Sequence, residues 1–166
     1  MIHYSIVPIS LQQGLAYALL ALGIALTFRV LAFPDLTVDG SFPLGGAVAA
    51  RLIVQGVDPT LATVAALVVG FIAGCLTGIL NTRLKINSLL AGILMMTILY
   101  SVNLRIMGRA NIQLLYRPTV FTSMENLDMP RFIPIIIFFL LITVVVKILV
   151  DLFLHTEYGM ALRATG

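Results

Sequence analysis

The stretch "FPDLTVDGSFPLGGA", residues 33–47, decides the fold because it breaks the chain between the first two apolar blocks. It holds two carboxylates, two prolines and three glycines. Pro34 ends any helix that continues from the first block, since proline lacks an N–H and its ring clashes with the preceding turn. Asp39 or Ser41 is predicted to cap a new helix, with Pro43 in its first turn. The stretch therefore predicts a helix break followed by a short helix.

Composition places the chain in a membrane. Of its 166 residues 60% are hydrophobic and only 10% are charged, and the mean hydropathy is +1.09. A soluble domain carries roughly 25% charged residues, so this chain has too few charges to cover a water-facing surface. A membrane β-barrel needs strands of about 10 residues with alternating polarity. The apolar blocks here are longer and do not alternate, which predicts an all-α, polytopic transmembrane protein.

Five apolar blocks follow one another along the chain. Four of them approach or exceed the roughly 20 residues that a spanning helix needs. The second block, with about 15 residues, reaches only about 22 Å at the α-helical rise. The sequence therefore predicts a helical bundle of about five membrane segments, one of which is short and either broken or re-entrant. The blocks are residues 6–28, 42–56, 60–81, 87–107 and 132–154.

Two interpretations of the helix break remain open from these residues. Irregular backbone inside a membrane is tolerated only against protein or a water-filled cavity, and discontinuous helices line the substrate sites of many transporters. In that interpretation the break, Asp39, Gly40, Ser41 and Pro43, lies beside a solute pathway. The alternative is an interfacial loop before a short tilted helix.

Uncharged polar and small residues recur within the later blocks. Polar groups inside membrane helices either bond to neighbouring helices or line a pathway, and small residues allow close helix packing. Gly70, Gly74 and Gly78, with Ala66, share one helix face and predict packing within one bundle or a contact between two copies. In the fourth block the polar residues are Asn87, Ser88, Thr97, Tyr100, Ser101 and Asn103.

Residues that carry enzyme chemistry are sparse. Cys75 is the single cysteine, and the two histidines, His3 and His155, are far apart in sequence. No catalytic triad, metal-ligand spacing or GxxxxGK[ST] phosphate loop occurs, so we expect no cofactor, no metal and no ATP site. Lys147 and Asp151 are spaced i,i+4 and are predicted to pair near the end of the last block. The net charge of +3 is scattered, which does not indicate nucleic-acid binding.

Three motifs resemble a known family. The segment "LAYALLALGIALTFRVLAFPDLTVDGSFPLGGAVAA" (15–50) resembles bacterial ABC-importer permeases of the branched-chain amino acid and ribose type. Its "DLTVDGSF" wording and "LLAGILMMTILYSVNLRIMG" (89–108) are most similar to the tryptophan/tyrosine-type permease subgroup. The closing "TEYGMALRATG" (156–166) resembles the segment that leads into the cytoplasmic coupling helix.

The resemblance implies a permease subunit of an ATP-driven importer for amino acids or similar small organic solutes. It implies a bacterial inner-membrane location, a separate ATPase subunit that hydrolyses ATP, a solute-binding protein and a second permease copy. Positive charges are divided almost evenly between the two sides and do not decide orientation, whereas the resemblance puts the C-terminal segment in the cytoplasm and the loop 108–131 in the periplasm. The pathway residues would be Asp39, Gly40, Ser41, Pro43, Asn87, Ser88, Thr97 and Tyr100. The ATPase-coupling segment would contain Glu157, Tyr158, Gly159 and Arg163.

Family members are usually longer, with further crossings after the coupling helix. Residues 1–166 are therefore expected to form the N-terminal half of a transmembrane permease domain. Two alternatives remain. One is half of a secondary carrier or channel, for which ionisable intramembrane residues would be expected and only Arg51, Lys147 and Asp151 are candidates. The other is a membrane scaffold subunit that does not itself transport.

Overall fold

The computed structural model describes residues 3–30, 35–114, 117–122 and 132–165. Pro34, predicted to end the first helix, and much of the loop 108–131 lie outside the described residues. All regular elements in the described part of the chain are helical, in agreement with the all-α prediction. They are α1 (His3–Ala25), a π-helical turn (Leu26–Val30), α2 (Val38–Val54), α3 (Pro59–Thr82), α4 (Ser88–Met107), α5 (Phe132–His155) and α6 (Glu157–Thr165).

Four helical segments in the described residues are long and apolar enough to cross a membrane: Ile6–Val30, Pro59–Thr82, Ser88–Met107 and Phe132–His155. The helix α2 has 17 residues, about 26 Å at the α-helical rise, and falls short of the roughly 30 Å hydrocarbon core. The prediction of a multi-pass helical membrane protein with one short segment is confirmed.

The start of α2 differs from the prediction. The residue at the N-cap is Thr37, so neither Asp39 nor Ser41 caps the helix. The Asp35 carboxylate accepts the Thr37 N–H at 2.8 Å, and the Thr37 carbonyl accepts the first helical bond. This turn makes the helix begin two residues earlier than an Asp39 cap would predict and four residues earlier than a Ser41 cap would predict. Pro43 consequently lies at the sixth helical position rather than in the first turn.

The starts of α3 and α4 show side-chain caps. The Asp58 carboxylate accepts the Thr60 N–H at 2.8 Å, and Pro59 occupies the first helical position. Two hydrogen bonds lower the pKa of the Asp58 carboxyl below its ordinary value. The larger effect comes from the Thr60 hydroxyl and the smaller from the Thr60 backbone N–H. At α4 the Asn87 carboxamide accepts the Leu89 N–H at 3.0 Å. These caps explain why the predicted boundaries of both helices are close to the observed ones.

Residues 34–120 form one compact unit in which α2 packs against both α3 and α4. Its core consists of Leu44, Ala73, Met95 and Leu99, each at most 5% exposed. Contacts of residues 37 with 77 and 45 with 66 show that α3 runs antiparallel to α2. Contacts of residues 36 with 92 and 40 with 99 show that α4 runs parallel to α2.

A buried hydroxyl pair joins the start of α2 to α3. The Oγ1 atoms of Thr37 and Thr77 are 2.8 Å apart, and the two residues are 2% and 1% exposed. The Thr77 hydroxyl also donates to the Ala73 carbonyl at 3.1 Å. Because a hydroxyl has one hydrogen, Thr37 is the donor in the pair.

Because Thr37 is the donor and Thr77 the acceptor, valine substitutions at the two positions are expected to lower stability by unequal amounts. Thr77→Val leaves the Thr37 donor buried and unpaired and is expected to cost roughly 1–3 kcal/mol, whereas Thr37→Val removes the donor and is expected to cost about 1 kcal/mol. Thermal unfolding of the detergent-solubilised protein measures both, with the exposed Thr63→Val as control. The double variant should lose less than the sum; additive losses would contradict the pairing.

Residues 1–33 and 121–166 form the second compact unit, in which α5 contacts both α1 and α6. Most of the α5 surface is exposed, as expected for a helix that faces lipid. The predicted pair on this helix is confirmed, since Lys147 Nζ and Asp151 Oδ2 are 2.7 Å apart. Both side chains are more than half exposed, so the pair contributes little to stability.

Candidate functional site

A pocket of about 430 Å³ lies between the start of α2 and the C-terminal half of α4, within the unit of residues 34–120. Its volume falls within the range of about 300–1,000 Å³ typical of small-molecule sites. The walls are mostly apolar and contain a few polar side chains, as in many ligand pockets. The lining residues are Asp39, Gly40, Pro43, Met96, Thr97, Tyr100, Asn103, Leu104 and Met107.

Residues from the interrupted stretch and from the fourth apolar block meet at this pocket. Of the residues predicted to line a pathway, the structure brings five together here: Asp39, Gly40, Pro43, Thr97 and Tyr100. The residues of α4 that line it recur three or four positions apart and so share one face of the helix. The Tyr100 side chain is 64% exposed and is therefore accessible to a ligand.

Close contact between α2 and α4 sets the width of this region. A Cβ atom on Gly40 would lie 3.0 Å from Leu99 Cβ and 3.1 Å from Met96 Cα. One turn along α4, Asn103 Nδ2 donates to the Gly40 carbonyl at 3.3 Å. Gly92, near the other end of the contact, faces the backbone of Leu36, with 2.9 Å between a Cβ position and the Leu36 nitrogen. The two glycines thus allow the backbones to approach and hold Asp39 at the pocket.

Asn103 is a polar pocket residue that was not among the eight predicted pathway residues. It is 5% exposed, and its Oδ1 atom has no hydrogen-bond partner within the described residues. Its spacing of three residues from Tyr100 and six from Thr97 places all three on one face of α4. That spacing was visible in the sequence, but burial against Gly40 was not. The apolar lining residues Met96, Leu104 and Met107 carry no signal that separates them from lipid-facing residues.

Three predicted pathway residues lie away from this pocket. The Ser41 hydroxyl is directed to the Val38 carbonyl at 3.4 Å within α2. Asn87 caps α4 and Ser88 begins it, about 15 Å along the helix from Thr97 at 1.5 Å per residue. Contact of these three residues with a solute stays a prediction.

Comparison with known proteins identifies the family. The profile of the family described as "Branched-chain amino acid transport system / permease component" matches residues 7–166. The chain belongs to this family. The membership predicted from the three motifs is therefore confirmed.

Two curated relatives align with almost all of this permease chain. The tyrosine transport system permease protein of Clostridioides difficile (strain R20291) is 40% identical over 156 residues, which are 94% of this chain and 50% of that relative. An uncharacterized protein of Rickettsia prowazekii (strain Madrid E) is 41% identical over 157 residues, 95% of this chain and 53% of that relative. The chain thus spans about half the length of the curated relatives it matches. No solved structure matches it significantly.

The segment that the resemblance assigns to ATPase coupling forms the helix α6 of the permease. Its residues Glu157, Tyr158 and Arg163 are exposed, with Tyr158 at 80%. Gly159 is buried at the corner with α5, where a Cβ would overlap the Phe153 carbonyl oxygen and lie 2.5 Å from Leu154 Cα. This segment, which the resemblance places before the coupling helix, is itself helical from Glu157 onward. The Thr156 hydroxyl accepts the Gly159 N–H at 3.3 Å and so caps the start of α6.

The glycine face of α3 makes no comparable approach in the permease. No heavy atom of another part of the described chain lies within 4 Å of a Cβ placed on Gly70, Gly74 or Gly78. The residues of α3 that are buried are instead Ala62, Ala73 and Thr77. A role of the three glycines in helix packing stays a prediction. Among the described residues no group of three His, Cys, Asp or Glu side chains is placed to hold a metal ion.

Proposed function

We propose that this chain forms part of the translocation pathway of an ATP-driven importer for amino acids or similar small organic solutes. The observation that carries the proposal is the pocket between α2 and α4, in a chain of the permease family. It is bounded by a short helix that begins after an interrupted segment, and discontinuous helices of this kind bind solutes in other transporters. The accessible Tyr100 ring and the methionines Met96 and Met107 supply apolar contact, while Asp39 and Thr97 supply polar contact.

Tyrosine is the solute to test first. The Clostridioides difficile relative is named a tyrosine transport system permease protein. An apolar pocket with a few polar groups suits an amino acid that carries a large side chain and a charged end. We therefore propose an aromatic amino acid as the substrate class of this permease.

The proposal includes partners on separate chains. ATP hydrolysis is assigned to an ATPase subunit that contacts α6 through Glu157, Tyr158, Gly159 and Arg163. A periplasmic or lipid-anchored solute-binding protein delivers the solute, and a second permease copy completes a homodimer surrounded by membrane lipid. The location is the bacterial inner membrane, with the N-terminus outside. Residues 1–166 are proposed as the N-terminal half of the transmembrane domain.

Substrate protection of single cysteines tests the pocket. Cys75 is exposed and is first replaced by serine; Thr97→Cys and Tyr100→Cys are then introduced separately into the intact permease. We expect 1 mM tyrosine to slow labelling of both cysteines by a methanethiosulfonate reagent about fivefold or more, since a bound solute excludes water from most of its own surface. Thr82→Cys, exposed near the C-terminal end of α3 and not among the residues that line the pocket, is the matched control and should be labelled at the same rate with and without tyrosine.

Uptake in proteoliposomes tests the energy source. Tyrosine accumulation should require the ATPase subunit and internal ATP. Uptake that persists without ATP would support a secondary carrier instead. A stable complex that shows neither tyrosine protection nor uptake would support a scaffold subunit.

A further inference from the structure

Hydrogen-bond acceptors predominate at the polar end of the pocket. Among the described residues that line it, Asp39 is the only charged one, and no lysine or arginine contributes. Close to Asp39, Asn103 presents a carboxamide whose oxygen has no hydrogen-bond partner among the described residues.

The orientation of the Asn103 carboxamide follows from its neighbour. Gly40 presents a carbonyl oxygen 3.3 Å from Nδ2, and only the amino end of the carboxamide is a donor. A flipped carboxamide would place two acceptors against each other. Oδ1 must therefore be the unpaired atom, in a residue that is 95% buried. A buried acceptor without a partner is uncommon in native structures and calls for a specific explanation.

We propose that Asn103 Oδ1 and the Asp39 carboxylate bind the ammonium group of the amino-acid substrate. An ammonium group carries three donors and no acceptor, which suits an amide oxygen and a carboxylate. The hydrogen bond between the ammonium and the Asp39 carboxylate is charge-assisted and therefore stronger than a neutral one. The substrate side chain then lies along Met96, Leu104, Met107 and the Tyr100 ring. This inference rests on the proposed function and adds which end of the solute binds beside Asp39 and Asn103.

The carboxylate end of a substrate is not suited to the same place. The N-terminus of a helix favours a negative group, but the first turn of α2 already carries Asp39. A second carboxylate beside it would be repelled, with no cationic side chain among the described lining residues to offset the repulsion. The solute carboxylate therefore points away from Asp39 and Asn103.

Access to Oδ1 requires movement of a neighbouring side chain. The atom is covered in this structure, and Met96 and Met107 line the same pocket. Methionine side chains are unbranched and adapt readily to a ligand. Binding of a solute at Oδ1 therefore requires a side-chain rearrangement, for which Met96 and Met107 are the adaptable lining residues.

Binding of three probes to the intact permease–ATPase complex in nanodiscs tests the inference. Tyrosine carries both charged ends, tyramine keeps only the ammonium, and 3-(4-hydroxyphenyl)propionate keeps only the carboxylate. Asn103→Leu and Asp39→Asn are each expected to weaken tyrosine and tyramine roughly tenfold or more, as expected for a lost hydrogen bond to a charged group. The affinity for the propionate should not fall in either variant. Asn111→Leu, in an exposed loop position, is the matched control and should bind all three probes as the parent does.

The alternative outcomes are distinct. Equal weakening of all three probes would overturn the assignment, since the variants would then act on packing rather than on the ammonium. If Asn103→Leu does not assemble, Asp39→Asn alone decides, because its side chain is exposed. Tyrosine binding that requires Na⁺, with Na⁺ binding lost in the variants, would assign the acceptors to a metal cation and also overturn the inference. Uptake of tyrosine, measured in parallel, shows whether the proposed function stands when the ammonium assignment fails.

Discussion

Replacing Gly159 with alanine is expected to abolish ATP-driven uptake while leaving the membrane-spanning helices folded. The added Cβ would overlap the Phe153 carbonyl oxygen and approach Leu154 Cα to 2.5 Å and its carbonyl carbon to 2.8 Å. These are backbone atoms at the end of α5, so no side-chain rotation relieves the contact. The corner between α5 and α6 must open, at a cost of about 1–3 kcal/mol or more.

The functional loss follows from the position of α6. If α6 contacts the ATPase, a change in its direction misplaces Glu157, Tyr158 and Arg163 together. Loss of about 1.4 kcal/mol of contact energy weakens association tenfold. We therefore expect the Gly159→Ala permease to retain less than about one tenth of its affinity for the ATPase in a detergent pull-down titration.

A matched glycine controls for helix propensity. Gly14 lies in α1 of the same compact unit, and nothing in the described chain lies within 4 Å of a Cβ placed there. Alanine at an unhindered helical site stabilises by up to about 1 kcal/mol relative to glycine. Gly14→Ala should therefore bind the ATPase and transport normally. Normal ATPase binding by Gly159→Ala would show that the corner does not control α6.

Replacing Gly92 with alanine is expected to disrupt the pocket from a distance. Its Cβ would lie 2.9 Å from the Leu36 backbone nitrogen and 3.3 Å from Leu36 Cβ. Leu36 precedes the Thr37 N-cap, so the start of α2 has to move away from α4. Asp39 and Gly40, which follow at once, move with it and change the polar end of the pocket.

We expect Gly92→Ala to lower the apparent unfolding temperature, at a cost of about 1–3 kcal/mol, and to reduce tyrosine affinity by roughly tenfold or more. The reduction follows because small displacements within a preorganised site are costly. Gly46→Ala, in α2 with nothing described within 4 Å of its Cβ position, is the control and should alter neither quantity. Unchanged tyrosine affinity in Gly92→Ala would show that the position of the start of α2 does not control solute binding.

Much of the helical architecture could be predicted because it depends on local properties of the chain. A run of about 20 apolar residues in lipid must form a helix, since every backbone group has to be hydrogen-bonded internally. The starts of helices could also be predicted where a nearby side chain caps the helix, as at Asp58 and Asn87. The start of α2 was misplaced because Thr37 is a cap by backbone position and makes no side-chain cap bond.

The candidate site was only partly predictable. Asp39, Gly40 and Pro43 were recognisable because polar, helix-breaking residues stand out between apolar blocks. Thr97 and Tyr100 were recognisable as polar residues inside a membrane segment. Ser41, Asn87 and Ser88 met the same criteria but lie away from the pocket. The prediction failed there because polarity alone shows neither which face of a helix meets a neighbour nor where along the helix the pocket lies.

The sequence by itself determined that this is a helical membrane protein and which family it belongs to. Tertiary structure decided which glycines bring segments together: Gly40 contacts α4 and Gly92 contacts Leu36 just before α2, whereas Gly74 has no such neighbour among the described residues. It also decided that Asn103 is buried at the pocket with an oxygen that has no partner in the described part of the chain. The physical reason is that apolar length and capping act within one segment, whereas burial and hydrogen-bond partners depend on how helix faces far apart in sequence come together.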